Sequence, residues 1–541
     1  MAYYIHYGET CTGIILEYDQ MFVSSGGTAN STIINTSGYL EVDSGGTAID
    51  TIINDRKSGG LFITLGGVAN GATVNYGGYM RILPDGKAKN VVENGGYVYI
   101  DEELEKGISN VTFRKNSFSG VVLSGYDTGE KRKATVHSGT TANNTTVKSN
   151  GVLEILGGIA NGTTVVSGGD MIIFSGTANS TVVNSDGYVG ISSGGVIINT
   201  EIKNCGYVDV SSGGVANSTT INDGDTGGLF VTPGGVANDV TVNFGGYMKV
   251  FSEGKAKNVV ENGGYVYIVD ELENGHPNVT FKKNSFSGVV LYDEKRKASV
   301  HSGTTAIDTT IDSDGTFRVL GGIANGTTVN SGGEMYVHSG IASSTTVNSG
   351  GYLEITSDGT ATRITENGGY VSIAGDTDYI EHPNVTILPN SFTGLVLNGT
   401  SATIHSGTTA DDTMVGADGL LCIFSGGFAN DVTVDPNGKL WIYSGGLANG
   451  ITLGNGGELI VGYGGWITGR MTFQAGALVT PATEAILDFD LRQTAPGEAA
   501  LVNDLSFIPN TFLFTITVNG MLSDGTYKLA EAPPRSTRPS A

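Results

Sequence analysis

The sequence predicts an all-β fold, a right-handed parallel β-helix (β-solenoid) of coils about 19 residues long with a C-terminal β cap. Three observations predict it. First, the leading glycine of a G-x-A triplet recurs at Gly27, Gly46, Gly67 and Gly86, with gaps of 19, 21 and 19 residues. The series resumes at Gly158, Gly176, Gly195 (which opens a V-I-I variant), Gly214, Gly235 and Gly254, then at Gly322, Gly340 and Gly359, and at Gly427, Gly446 and Gly465 (which opens a W-I-T variant). Second, each repeat holds runs of about four residues that alternate apolar and polar, the period of a strand with one buried face. Third, Gly supplies 84 of 541 residues without a G-X-Y period, which excludes collagen and fits a chain that turns a corner every few residues.

Residues 25–46, SGGTANSTIINTSGYLEVDSGG, show one coil. Ile34, Leu40 and Val42, with Ala29 and Thr32, form the expected inward column, and Gly, Asn and Ser bound each short strand. A single coil cannot bury its apolar side, so stacked coils share one core. We read 1–20 as an N-terminal cap or lead-in strand and 21–465 as the repeat solenoid. Charged loop excursions fall near 101–135, 269–297 and 374–400. Residues 466–530, where the period fades into denser alternation such as TFLFTITV, read as the C-terminal cap, and 531–541 as a disordered tail. A larger duplication overlies the coils: 60–123 recurs at 228–291, an offset of 168 residues, and in part at 366–397.

A formal charge of −24 excludes the basic footprint of a nucleic-acid binder and opposes an anionic membrane. No apolar run is long enough for a membrane helix, so this segment is not expected to insert. Neither a signal peptide nor a translocator β-barrel is visible. Three cysteines, Cys11, Cys205 and Cys422, are no disulfide framework: roughly ten coils, or about 50 Å, part each from the next, against a limit of about 7 Å.

SGGTANSTIIN, GGVANGATVNYGG and GGIANGTTVNSGGEMYV resemble the AIDA-type repeats of self-associating autotransporter adhesins of Gram-negative bacteria. The resemblance covers about 20–465. It implies a passenger domain displayed at the bacterial cell surface or secreted, which mediates adhesion, autoaggregation and biofilm formation. Its partners would be other copies of itself or host surface glycans and proteins, and some members carry sugars on repeat Ser and Thr. The alternatives are a β-helix polysaccharide lyase or hydrolase, and a passive surface stalk.

No enzyme activity, catalytic residue, cofactor or metal is expected. His137, His301 and His405 occupy matching H-S-G-T-T-A positions, but 164 and 104 residues of solenoid place them roughly 40 and 26 Å apart. They read as inherited corner residues. The acidic runs 101–105 and 270–273 read as solvated loops. Two columns stand out. Asn35, Asn54, Asn75, Asn184, Asn204, Asn222, Asn243, Asn330 and Asn348 suit a corner amide ladder. Tyr39, Tyr79, Tyr97, Tyr188, Tyr207, Tyr247, Tyr265, Tyr352 and Tyr370 each precede an inward apolar residue, so they form an outward stripe, either a stacked ladder or a binding face.

Overall fold

The computed structural model describes every residue except 55–58, 107, 108, 126–128, 185, 223–226, 272–276, 375–382, 519, 521 and 532–541, and at 105 and 106 the backbone alone. Parts of the three expected excursions, and all of the expected tail but Glu531, lie outside the described residues. The chain forms two compact units, Met1–Lys282 and Lys283–Ala541.

The first unit opens as a three-sided parallel β-solenoid. One side stacks Ala2–Ile5, Gln20–Val23, Tyr39–Val42, Gly60–Ile63, Tyr79–Ile82 and Tyr97–Ile100 into a six-stranded parallel sheet. A second side stacks Thr10–Thr12, Thr28–Asn30, Thr47–Ile49 and Val68–Asn70. The third stacks Ile15–Leu16, Ile33–Ile34, Ile52–Ile53 and Thr73–Asn75. The long strand Lys87–Asn94 pairs with both of the last two sides. Like residues stack on like: Leu40 lies in register with Met21 and Leu61, and Ala29 with Cys11 and Ala48.

Sequence chemistry explains each corner. Between the second and third sides the chain passes through a left-handed residue, Ser31, Asp50, Gly71 or Asn90, residue types that tolerate positive φ. After the first side, Gly45 takes φ +77, and a Cβ on the following Gly46 would lie 2.4 Å from the Val23 carbonyl oxygen of the coil before. The second glycine of the S-G-G corner is therefore fixed by close approach and the first by backbone conformation.

Inward residues meet the expectation: Ala29, Thr32, Ile34, Leu40 and Val42 are all buried. Thr32 and Thr51, which follow the left-handed corner, keep buried hydroxyls with no protein partner. From Asn116–Ser119 to Val279–Phe281 the first unit continues as twenty hydrogen-bonded strands, with Val147, Leu153 and Ile155 in its core. The second unit repeats the plan, and one of its sheets runs Ser401–Ile404, Leu420–Ile423, Lys439–Ile442, Glu458–Val461 and Leu478–Pro481. Another sheet ends with Ile486–Asp490 and Leu513–Thr517. Among the described residues no helix is long and apolar enough to cross a membrane.

Candidate functional site

The outward side of the six-stranded sheet carries two adjacent aromatic columns. In one, Tyr39 faces Gln20 and Gly60 on neighbouring strands, and Tyr79 faces Tyr97. In the other, two residues along, Tyr4 pairs with Phe22, Phe62 with Glu41 and Arg81, and Arg81 with Tyr99. Where Gly60 leaves the first column empty, the Phe62 ring of the same strand fills the gap. It lies 4.8 Å from the Tyr39 ring and 5.7 Å, edge-on, from Tyr79. Seven rings, Tyr4, Phe22, Tyr39, Phe62, Tyr79, Tyr97 and Tyr99, are thereby joined with no break.

The same device recurs 168 residues later. Gly228 faces Tyr207, and the Phe230 ring stacks on Tyr207 at 4.2 Å, in a run from Tyr188 through Tyr247 and Tyr265 to Tyr267. In the second unit the run is Tyr336, Tyr352 and Tyr370. All nine stripe tyrosines are half-buried, and Leu40, Met80, Val98 and their equivalents beneath them are buried. Sequence reading missed Phe22, Phe62 and Phe230 because it followed the residue after the Gly pair. For Phe62 and Phe230 the signal was a Phe two residues after a glycine in the tyrosine register; Phe22 follows Gln20 at that position.

Burial raises the phenols of Tyr39, Tyr97, Tyr188, Tyr207, Tyr247 and Tyr352, with neighbouring carboxylates adding to it at all of them but Tyr247. Burial raises Tyr247 to about 12. Burial and a hydrogen bond to Glu41 raise Tyr39, and burial and a 2.9 Å bond to Glu354 raise Tyr352. At the corner beside the third side, side-chain amides form the expected ladder. Asn54 donates to Asn35 (2.8 Å), Asn75 to Asn54 (2.9 Å) and Asn94 to Asn75 (2.8 Å). Elsewhere in this column Asn204 donates to Asn184, Asn243 to Asn222 and Asn348 to Asn330, while Asn222 ends on Glu201. A second ladder, not anticipated, follows the A-N corner: Asn179 to Asn161 to Asn143, and Asn449 to Asn430 to Asp411.

Where the coil pattern breaks, an inward glutamate replaces the apolar residue of the third side: Glu93 lies in register with Val74, and Glu366 with Val347. Both are fully buried. Glu93 accepts from the Thr135 hydroxyl (2.6 Å), the His137 backbone N–H (2.8 Å) and His137 Nδ1 (2.6 Å). Glu103 takes the other ring nitrogen, Nε2, at 3.1 Å. With a carboxylate on each nitrogen the ring is an imidazolium. Burial alone would depress His137, but the facing carboxylates outweigh it and hold it at about 9. Glu366 repeats the arrangement with Thr403, His405 and Thr408 at 2.6–2.9 Å, and although burial opposes it, His405 holds this carboxyl below its usual range.

His137 and His405 are thus buried partners of carboxylates rather than plain corner residues. His137 lies in the first unit, and His301, also buried, lies with His405 in the second. Glu103, within an acidic run read as a solvated loop, is one of those partners. Of the cysteines, Cys11 sits half-buried in the alanine column and Cys205 at a corner with φ +66. Cys422 is buried, which pushes its thiol up to about 12.

The fold and its laddered outer side define the class, a parallel β-solenoid of repeated short coils. Residues 312–369 match the family described as "Adhesin of bacterial autotransporter system, probable stalk". Residues 312–369 are therefore an AIDA-type adhesin repeat segment. Among solved structures, the chain is similar to a TibC-catalysed, hyper-glycosylated fragment of TibA, with 20% identity over 88% of this chain and 99% of that one and a TM-score of 0.15. It is also similar to CroV588, a circular LRR protein, with 10% identity over 93% of this chain and 81% of that one and a TM-score of 0.19. No curated protein matches it.

Proposed function

We propose that the chain is the passenger of an autotransporter adhesin, displayed at a bacterial surface or released from it, and that it promotes adhesion, autoaggregation and biofilm formation without catalysis. The observation that carries this reading is the unbroken run of seven half-exposed rings from Tyr4 to Tyr99 on one outward side. The match of residues 312–369 to an adhesin family supports it. Aromatic rings offer flat contact area at low conformational cost, and weak contacts repeated along a sheet gain avidity. The proposed partners are other copies of the chain or host glycans and proteins. The resemblance to the repeat family adds outward Thr and Ser, such as Thr146 and Thr164, as sugar acceptors.

The experiment is display on non-aggregating bacteria, with settling and surface adhesion measured for the parent and for a variant with Tyr39, Tyr79, Tyr188 and Tyr207 changed to Ser. The parent should settle cells, and the variant should lose most of that effect while keeping its β-sheet spectrum. Absence of settling and adhesion by the parent overturns the reading. The words "probable stalk" favour a second reading, a passive spacer, which predicts no settling by either. Release of reducing sugar from polysaccharides would revive a lyase or hydrolase.

A further inference from the structure

Beside the aromatic columns of the first unit lies a cavity of about 420 Å³ whose lining joins tyrosine rings to cations. One wall is Tyr79, Tyr97 and Tyr99. Their rings run nearly parallel, 5.8 Å and 6.2 Å between centroids and 19° and 22° between planes. The rest of the lining is the consecutive run Lys131, Arg132 and Lys133, with Gly77 and Gly78. Among the described residues no carboxylate lines the cavity, in a chain where acids outnumber bases 53 to 29.

The cations are held in place. Lys131 reaches Asp170 and Lys133 reaches Glu154, each at 2.8 Å. The Arg132 guanidinium lies 4.7 Å from the Tyr76 ring centre, and Lys133 Nζ lies 5.1 Å from that of Tyr97. The strand that carries Arg132 and Lys133, Arg132–His137, is pinned to the tyrosine strand by Thr135. Its hydroxyl accepts from Val98 N–H and donates to buried Glu93.

The internal copies separate this cavity from the requirements of folding. The corresponding segments read EKRKATVH at 130–137, EKRKASVH at 294–301 and NGTSATIH at 398–405. All three keep the histidine, but the third lacks the cations. It also has Ser372, in register with Glu354, where the first two have Tyr99 and Tyr267, in register with Arg81 and Lys249. Cations and outer tyrosine are kept together and lost together, while the buried Glu366–His405 pair persists without them.

We infer that the cavity formed by Tyr79, Tyr97, Tyr99 and Lys131–Lys133 binds a carboxylated pyranose, a uronate or sialate unit of an acidic saccharide. The rings stack on the apolar face of the sugar, and the guanidinium of Arg132 takes the carboxylate. Walls fixed by ion pairs and by Thr135 lose little freedom on binding. The biological use of this site rests on the adhesin reading, but its chemistry is tested on the purified chain.

Hydrogen exchange of the full chain is followed while trigalacturonate, sialyllactose, maltotriose or glutarate is titrated in. Trigalacturonate, sialyllactose or both should slow exchange in peptides covering 97–100 and 131–134, and which of them acts names the source of the sugar. Maltotriose, which is neutral, and glutarate, which has no ring, should bind at least tenfold more weakly. Arg132→Gln and Tyr99→Ser should each raise Kd at least tenfold with an unchanged melting temperature. Protection by neither acidic sugar, equal binding of maltotriose or glutarate, or parent-like binding by both variants overturns the inference. Cell settling without sugar binding would sink this inference and leave the adhesin reading standing.

Discussion

At the scale of single residues, the decisive groups are those that break the apolar pattern. Glu93 replaces a valine in a closely packed column, and a buried carboxylate is tolerable only because hydrogen-bond donors and His137 surround it. Removing one partner leaves the other charged and buried. Glu93→Ala should therefore cost about 3–5 kcal/mol, and chemical denaturation will measure it. A cost under 1 kcal/mol would mean that the pair is not charged. The same geometry sets a pH dependence. His137 titrates at about 9 in the folded chain, above an unfolded value near 6.5. Its contribution is complete below about pH 6.5 and disappears as pH rises through 9. Glu366 has the opposite sign: its folded pKa is depressed, so its contribution is present above about pH 4.5 and lost as pH falls further. Melting temperature against pH should peak between about 4.5 and 6.5, and His137→Gln should flatten the alkaline limb. An alkaline limb unchanged by His137→Gln would assign that loss to other groups. Thr51 is the converse case, a buried hydroxyl without a protein partner at a position where the equivalent coil residue is Ala72 or Val240. Thr51→Val should be neutral or stabilising by about 1 kcal/mol in a thermal melt. A clear destabilisation would show that the hydroxyl has a partner in solution.

At the scale of elements, each coil is held by columns rather than by single contacts, and the columns differ in how openly the sequence shows them. Asn35, Asn54 and Asn75 were legible because an identical residue returns at the coil period and an amide can both donate and accept. The inward Leu40 and Val42 were legible through strand alternation. The Phe62 device was not. It depends on a ring leaning from one column across Gly60 into the next, a diagonal that a one-column reading cannot show. Glu93 and Glu366 were hidden for a different reason. A glutamate beside Asn and two glycines reads as a loop, and its histidine partner lies 44 or 39 residues away, across an excursion of no regular period. The repeated appearance of E-N-G-G-Y ahead of H-S-G-T-T-A was the available signal. An interrupted ladder should weaken its neighbourhood. Asn54→Ala removes a donor to Asn35 and an acceptor for Asn75, a loss of about 1–3 kcal/mol. Hydrogen exchange should quicken most in coils 33–54 and 73–75. A uniform change across the first unit would mean that the ladder acts globally.

At the scale of the whole molecule, stability in a stacked repeat is close to a sum over coils and the interfaces between them. The first unit allows a direct test, because Gly27 and Gly46 occupy the same corner one coil apart, and Thr28–Asn30 pairs in register with Thr47–Ile49. Deleting 28–46 joins the S-G-G of one coil to the T-A-I of the next. It places Met21 in the column with Leu61, and Phe22 beside Phe62. Every inward position then still meets an inward neighbour, and every corner keeps its glycine. Removing 28–36 instead takes out about half a coil and destroys both registers, so that inward residues face outward corners. The full-coil deletion should keep a cooperative melt and a β-sheet spectrum, with stability lowered by no more than a few kcal/mol. The half-coil deletion should lose cooperative folding of the first unit. Equal damage from the two deletions would show that the unit depends on the identity of particular coils. Survival of the full-coil deletion would show that corner chemistry and column register, both written in a 19-residue motif, are sufficient to extend or shorten the solenoid.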